Sequence, residues 1–69
     1  MNVIIIEDEK PSARRLQRML AEINIEALAM LHSVEESVNW FKTNEHPDLI
    51  LLDIQLSDGL SFEIFEQVA

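Results

Sequence analysis

Val3 to Ile6 sets four branched aliphatics in a row. An unbroken apolar run of that length suits a parallel strand covered on both faces, and it predicts a first strand over Asn2 to Ile6. Pro11 follows shortly after and suits the first turn of a helix. From there Ala13, Leu16, Leu20 and Ile23 recur at helical spacing, while Arg14, Arg15, Arg18 and Glu22 fill the opposite face. Ile25 to Leu31 is a weaker strand, because its alanines favour helix. Ser33 followed by Glu36 forms a capping box, and Val34, Val38 and Phe41 make the apolar stripe of a second helix. Asn44 to Asp48, with Pro47 inside it, reads as a turn. Leu49 to Leu52 is a second unbroken apolar strand. Gly59 falls in the loop after it, and Leu60, Ile64 and Val68 mark a third helix. The order βαβαβα predicts an α/β fold with a parallel sheet and right-handed crossovers.

Composition narrows what such a fold can do. At 69 residues without a cysteine, the chain is at most one small domain with no disulfide or zinc staple. Its stability must come from its 48% apolar content or from a partner. A formal charge of −8 argues against nucleic-acid binding by phosphate neutralisation and against anionic membrane surfaces. No apolar run approaches the roughly 20 residues of a membrane span, and the start lacks the basic region of a signal peptide. A cytoplasmic location is the expectation.

Both long apolar runs end in acids: Glu7, Asp8 and Glu9 after the first, Asp53 after the second. Ligands of open parallel sheets bind at the carboxyl ends of the strands. If the first and third strands are neighbours, Asp8 and Asp53 end roughly 5 Å apart. Two unit charges 4 Å apart repel by about 4 kcal/mol at an effective dielectric near 20, so such a cluster holds either a proton or a cation. A hard divalent ion with oxygen ligands, Mg²⁺ before Ca²⁺, fits that chemistry. An acid after a strand is also a common helix cap or turn residue, and Glu9 reads that way, with its side chain solvated.

At "IIIEDE" and "PDLILLDIQLSDGLSFEIF" the chain resembles the receiver domains of two-component response regulators. The likeness covers residues 1–69, which correspond to the N-terminal part of a receiver. The resemblance implies a flavodoxin-like fold with strand order 2-1-3 and without the last two strands. It implies that Asp53 accepts a phosphoryl group from a sensor histidine kinase, with Asp8 a direct Mg²⁺ ligand and Glu7 acting through water. Gln55 occupies the position whose backbone carbonyl completes the metal site. The domain would be a phosphoacceptor and not a turnover enzyme, controlling a downstream and transcriptional output. "SARRLQRML" further resembles receivers joined to LytTR-type DNA-binding domains. The pattern departs from the family at Ser57, where proline is common, and at Ser61, where glycine is common and where Ser61 is expected to cap the third helix. The later strand ends that supply a Ser or Thr and a Lys have no counterpart here, which reads as a truncated receiver. Its third strand would expose an unpaired edge, so self-association or strand exchange is expected.

Two other functions compete. One is an assembly fragment without chemistry, in which the acids are inert. The other is an aspartate-nucleophile phosphatase, disfavoured because Asp53 is followed by Ile54 and Gln55 and not by the D-x-D pattern. His32 and His46 read as solvated loop histidines, Trp40 as packed or half-exposed, and Met19 and Met30 as core filler. Arg14, Arg15 and Arg18 read as a solvated helix face, with kinase docking as the minority alternative.

Overall fold

The computed structural model describes residues 1–68. Its elements run β1 (Val3–Ile6), α1 (Lys10–Glu22), β2 (Ala27–Leu31), α2 (Val34–Thr43), β3 (Leu49–Leu52), β4 (Gln55–Leu56), β5 (Gly59–Leu60) and α3 (Phe62–Val68). The main sheet is parallel with order β2-β1-β3, and β4 and β5 form a small separate hairpin. Val3 to Ile6 pair with Leu49 to Leu52 in unbroken register, whereas the β1–β2 register shifts between Val3 and Ile4.

All four β1 side chains are fully buried because the strand is central and both its faces are covered. Successive side chains alternate between faces. Ile4 and Ile6 pack with Leu31, Val34, Val38, Phe41, Leu56 and Ile64 beneath α2 and α3. Val3 and Ile5 pack with Ala13 and Leu20 of α1. Pro11 lies within the first turn of α1, where its missing N–H costs nothing. Glu9 is the N-cap residue by position only: its side chain makes no capping bond and is exposed. α2 begins as the capping box predicts, with Ser33 Oγ accepting from Glu36 N–H at 3.0 Å.

Several expectations need correction. The second strand begins at Ala27 and not Ile25, because α1 closes in a Schellman turn that uses residues 23–25. Asn24 takes φ 61°, and the N–H groups of Asn24 and Ile25 return to Ala21 O and Leu20 O. Ile23 therefore sits at the cap, 63% exposed, and leaves the buried stripe. Met19 is no core filler; it is 54% exposed on the flank of α1. Leu60 belongs to β5 and not to α3, and it too is exposed. Ser61 does not cap α3 with its side chain: the hydroxyl is buried without a partner, and only its carbonyl accepts, from Ile64 N–H at 3.0 Å. β3 is less covered than its apolar sequence suggests, since among the described residues it has one strand neighbour and Leu49 is exposed. Among the described residues no helix is long and apolar enough to cross a membrane.

Candidate metal centre

The carboxyl ends of β1 and β3 are held level by backbone bonds that outlast the strands themselves. Asp53 N–H donates to Ile6 O at 2.9 Å, and on the other side Glu7 N–H donates to Leu31 O at 2.8 Å. With Ile6 opposite Leu52, the next residues along, Glu7 and Asp53, emerge abreast. Asp8 follows at the entrance to α1. The outcome is a three-carboxylate cluster of Glu7, Asp8 and Asp53, each offering an oxygen, with these atoms all within 4.8 Å of one another.

Gln55, the fourth expected site residue, opens β4 opposite Leu60 and is exposed. It stands in a different sheet from the strands that carry the acids. Glu9 points to solvent and takes no part.

Electrostatics single out Glu7. Burial raises its carboxyl above the usual glutamate range, and hydrogen bonding to and charge on Asp53, then Asp8, push it the same way. None of those influences is a cation. Glu7 Oε2 is also buried with no hydrogen-bond partner. An orphaned, desolvated carboxylate oxygen beside two further acids is a costly arrangement unless a proton or a cation joins it.

The spacing fits a hard cation. An octahedral ion with oxygens at about 2.0–2.1 Å sets neighbouring ligands roughly 3 Å apart and opposite ones roughly 4 Å apart. Closing the cluster to that size needs only a small contraction. Asp53 is the exposed member, whereas Glu7 and Asp8 are half-buried. A ligand arriving from solvent therefore meets Asp53 first.

Two residues that the sequence did not place at the site help to hold it. One of them, His32, reads from the sequence as a solvated loop histidine but is packed against the β1 end. His32 is half-buried and its Nδ1 donates to Glu7 O at 2.9 Å, so it fixes the backbone that carries the raised carboxyl. A histidine one residue past a strand gives no sign of that bond in the sequence alone. Asp58, in the turn between β4 and β5, accepts from Val34 N–H at 2.8 Å and Glu35 N–H at 3.0 Å. These bonds hold its carboxyl below the usual aspartate range. The Asp58-Gly59 pair was the available signal, since that dipeptide marks tight turns. By this latch the segment leaving Asp53 is tied to the N-terminus of α2, where a negative charge is favourable.

No family model, no curated protein and no solved structure matches this chain.

Proposed function

We propose that this chain is a receiver-type phosphoacceptor of flavodoxin-like fold, taking a phosphoryl group on Asp53 in a divalent-cation-dependent step. The observation that carries the reading is the convergence of Glu7, Asp8 and Asp53 from the ends of two adjacent parallel strands. The resemblance of "IIIEDE" and the β3 segment to receivers supports it, and so does the sheet order β2-β1-β3.

In this reading Glu7 and Asp8 would hold Mg²⁺ from the half-buried side of the cluster, with the backbone carbonyl of Gln55 as a further ligand. A divalent ion held there would neutralise charge on the transferring oxygens, so that the anionic Asp53 carboxylate could approach an anionic donor. Asp53 supplies the attacking oxygen from its exposed position. A new P–O bond forms as the P–N bond to a kinase phosphohistidine breaks, and the electron pair returns to the imidazole nitrogen. The product is an acyl phosphate on Asp53. A sensor histidine kinase is the partner, a downstream transcriptional output the consequence, and the cytoplasm the setting.

The test is intact mass after incubation with Mg²⁺ and phosphoramidate, for the wild type and for Asp53→Asn. One phosphoryl group per chain, lost in the variant and lost in chelator, is the expected result. A folded protein that takes up no phosphoryl group overturns the reading, and so does an adduct that persists in Asp53→Asn.

A further inference from the structure

We propose that Asp58 is a positioning residue for the cation site: its grip on the start of α2 sets the β4–β5 hairpin so that the Gln55 backbone carbonyl is offered to an ion at Glu7, Asp8 and Asp53. This role rests on the cation reading of that cluster and adds to it a residue that touches no ion. A helix leaves its first N–H groups without partners inside the helix. At α2, Ser33 Oγ takes the N–H of Glu36. The N–H groups of Val34 and Glu35 go to Asp58, one to each carboxylate oxygen, at 2.8 and 3.0 Å. They stand 24 and 23 residues from it in sequence. Water can serve an exposed helix start, so α2 has no need of so distant a partner. A grip by both oxygens fixes the turn in direction as well as in distance.

The segment is pinned at its other end too. Asp53 N–H donates to Ile6 O at 2.9 Å, so residues 53–58 run between a bond to β1 and two bonds to α2. Gln55 lies between them. Ser61 N–H donates to Ile54 O at 2.8 Å, which makes Ile54 and Ser61 a hydrogen-bonded pair of the hairpin. Gln55 faces Leu60 in the next pair. Pairs alternate along an antiparallel ladder, so Gln55 turns its N–H and C=O out of the hairpin. The ladder leaves that carbonyl unclaimed, and it is an oxygen of the kind a hard cation takes. Whether an ion meets it depends on how the hairpin is rotated about the Asp53 anchor. Leu56, buried with Val34 and Ile64, holds one face of the hairpin down. Apolar contact has no direction of its own, whereas hydrogen bonds do, and Asp58 supplies them.

Linkage makes the effect reciprocal. If the latch raises the affinity for the ion, the ion strengthens the latch by the same factor. Residues that orient a metal ligand from outside carry about tenfold to hundredfold in affinity. A neutral carbonyl behind two hydrogen bonds belongs at the lower end, roughly tenfold. Asp48 provides the control, because it makes the same kind of bond at the opposite end of the sheet. It accepts from Asn2 N–H at 2.7 Å, just ahead of β1 and β3. Its loss removes a negative charge and a backbone bond without touching the hairpin.

Mg²⁺ titration at constant ionic strength, followed by amide chemical shifts on intact chains shown folded by circular dichroism, tests the proposal. Asp58→Ala should bind the ion roughly tenfold more weakly than the wild type. Asp58→Asn, which keeps one accepting oxygen, should fall between the two, and Asp48→Ala should match the wild type. Amide exchange gives the reciprocal readout. In the wild type, Mg²⁺ should slow the Val34 and Glu35 amides by more than the Ser37 amide, which donates to Ser33 O within the same turn. Asp58→Ala should lose that excess. A wild type and an Asp58→Ala that bind Mg²⁺ equally well overturn the positioning role and leave the cation reading standing. An equal loss in Asp48→Ala overturns the role too, since charge alone then accounts for both. Should Asp58→Ala not fold, Asp58→Asn decides, and affinity equal to the wild type's overturns the role. A folded wild type that binds no Mg²⁺ overturns the cation reading and this role with it.

Discussion

Glu7 and Asp58 are carboxylates shifted in opposite directions, and the pH dependence of stability should show both. Burial, with Asp53 and Asp8 nearby, raises Glu7, so the folded chain binds that proton more tightly than the unfolded chain does. The stability this proton contributes is complete below the ordinary glutamate range and is lost as pH rises through the raised value. In a chelator, Tm should therefore climb on mild acidification from neutral pH. Glu7→Gln cannot ionise, so it should melt higher than the wild type at neutral pH and show a flatter climb. An equal climb in both proteins would place the titrating group elsewhere. Asp58 has the contrary sign, because the N–H groups of Val34 and Glu35 favour its charged form. Its contribution is present above the ordinary aspartate range and is lost as pH falls through the lowered value. Asp58→Ala should melt lower than the wild type at neutral pH, and the difference should close in acid. Melting curves from neutral pH into the acid range, run on the three proteins, check both expectations.

At the scale of elements, strands were legible as unbroken apolar runs, Val3 to Ile6 fully buried and Leu49 to Leu52 only partly so. The second helix was legible too, since Ser33 and Glu36 mark its start and Val34, Val38 and Phe41 its buried stripe. The hairpin was not. β4 and β5 have two residues each, too few for a periodic signal, and Leu60 mimicked a helical position by lying four residues before Ile64. Ile23 misled in the same way, continuing the α1 spacing one residue past the helix end. The acid cluster was legible because two unbroken apolar strands both ended in carboxylates; its latch was not, because Asp58 acts on backbone groups far away in sequence. Gly59 holds a backbone conformation that other residues rarely adopt. It has φ +147°, and a Cβ there would displace only the movable end of the Glu63 side chain, so the strain is the backbone's. Gly59→Ala should therefore cost on the order of 1–3 kcal/mol through backbone strain alone. For a domain of this size that lowers Tm by roughly 5 °C or more, while Ser57→Ala in the same turn should leave it nearly unchanged. Thermal melts of the two variants decide it, and a Gly59→Ala protein as stable as the wild type would contradict the geometry.

Charge on the whole molecule separates general screening from a built cation site. The chain carries 13 acidic residues against 5 Lys and Arg. Four of the cations, Lys10, Arg14, Arg15 and Arg18, lie on α1, so the remaining surface is almost wholly negative. Any salt should therefore raise Tm by screening self-repulsion, and that gain should level off once the screening length falls below the spacing of surface charges. Mg²⁺ at matched ionic strength should add a further increment, because an ion that binds only the folded state stabilises it by mass action. At a tenfold excess over the dissociation constant the addition is about 1.4 kcal/mol, or roughly 5–10 °C for a domain of this length. Asp53→Asn and Glu7→Gln each remove a proposed ligand and should lose that increment while keeping the response to monovalent salt. Glu35→Gln, exposed on α2 and outside the cluster, should keep both. If Mg²⁺ and monovalent salt act alike at equal ionic strength, the three carboxylates are only part of a diffuse negative surface. If only the Mg²⁺ increment disappears in the Asp53 and Glu7 variants, the ends of β1 and β3 form one site.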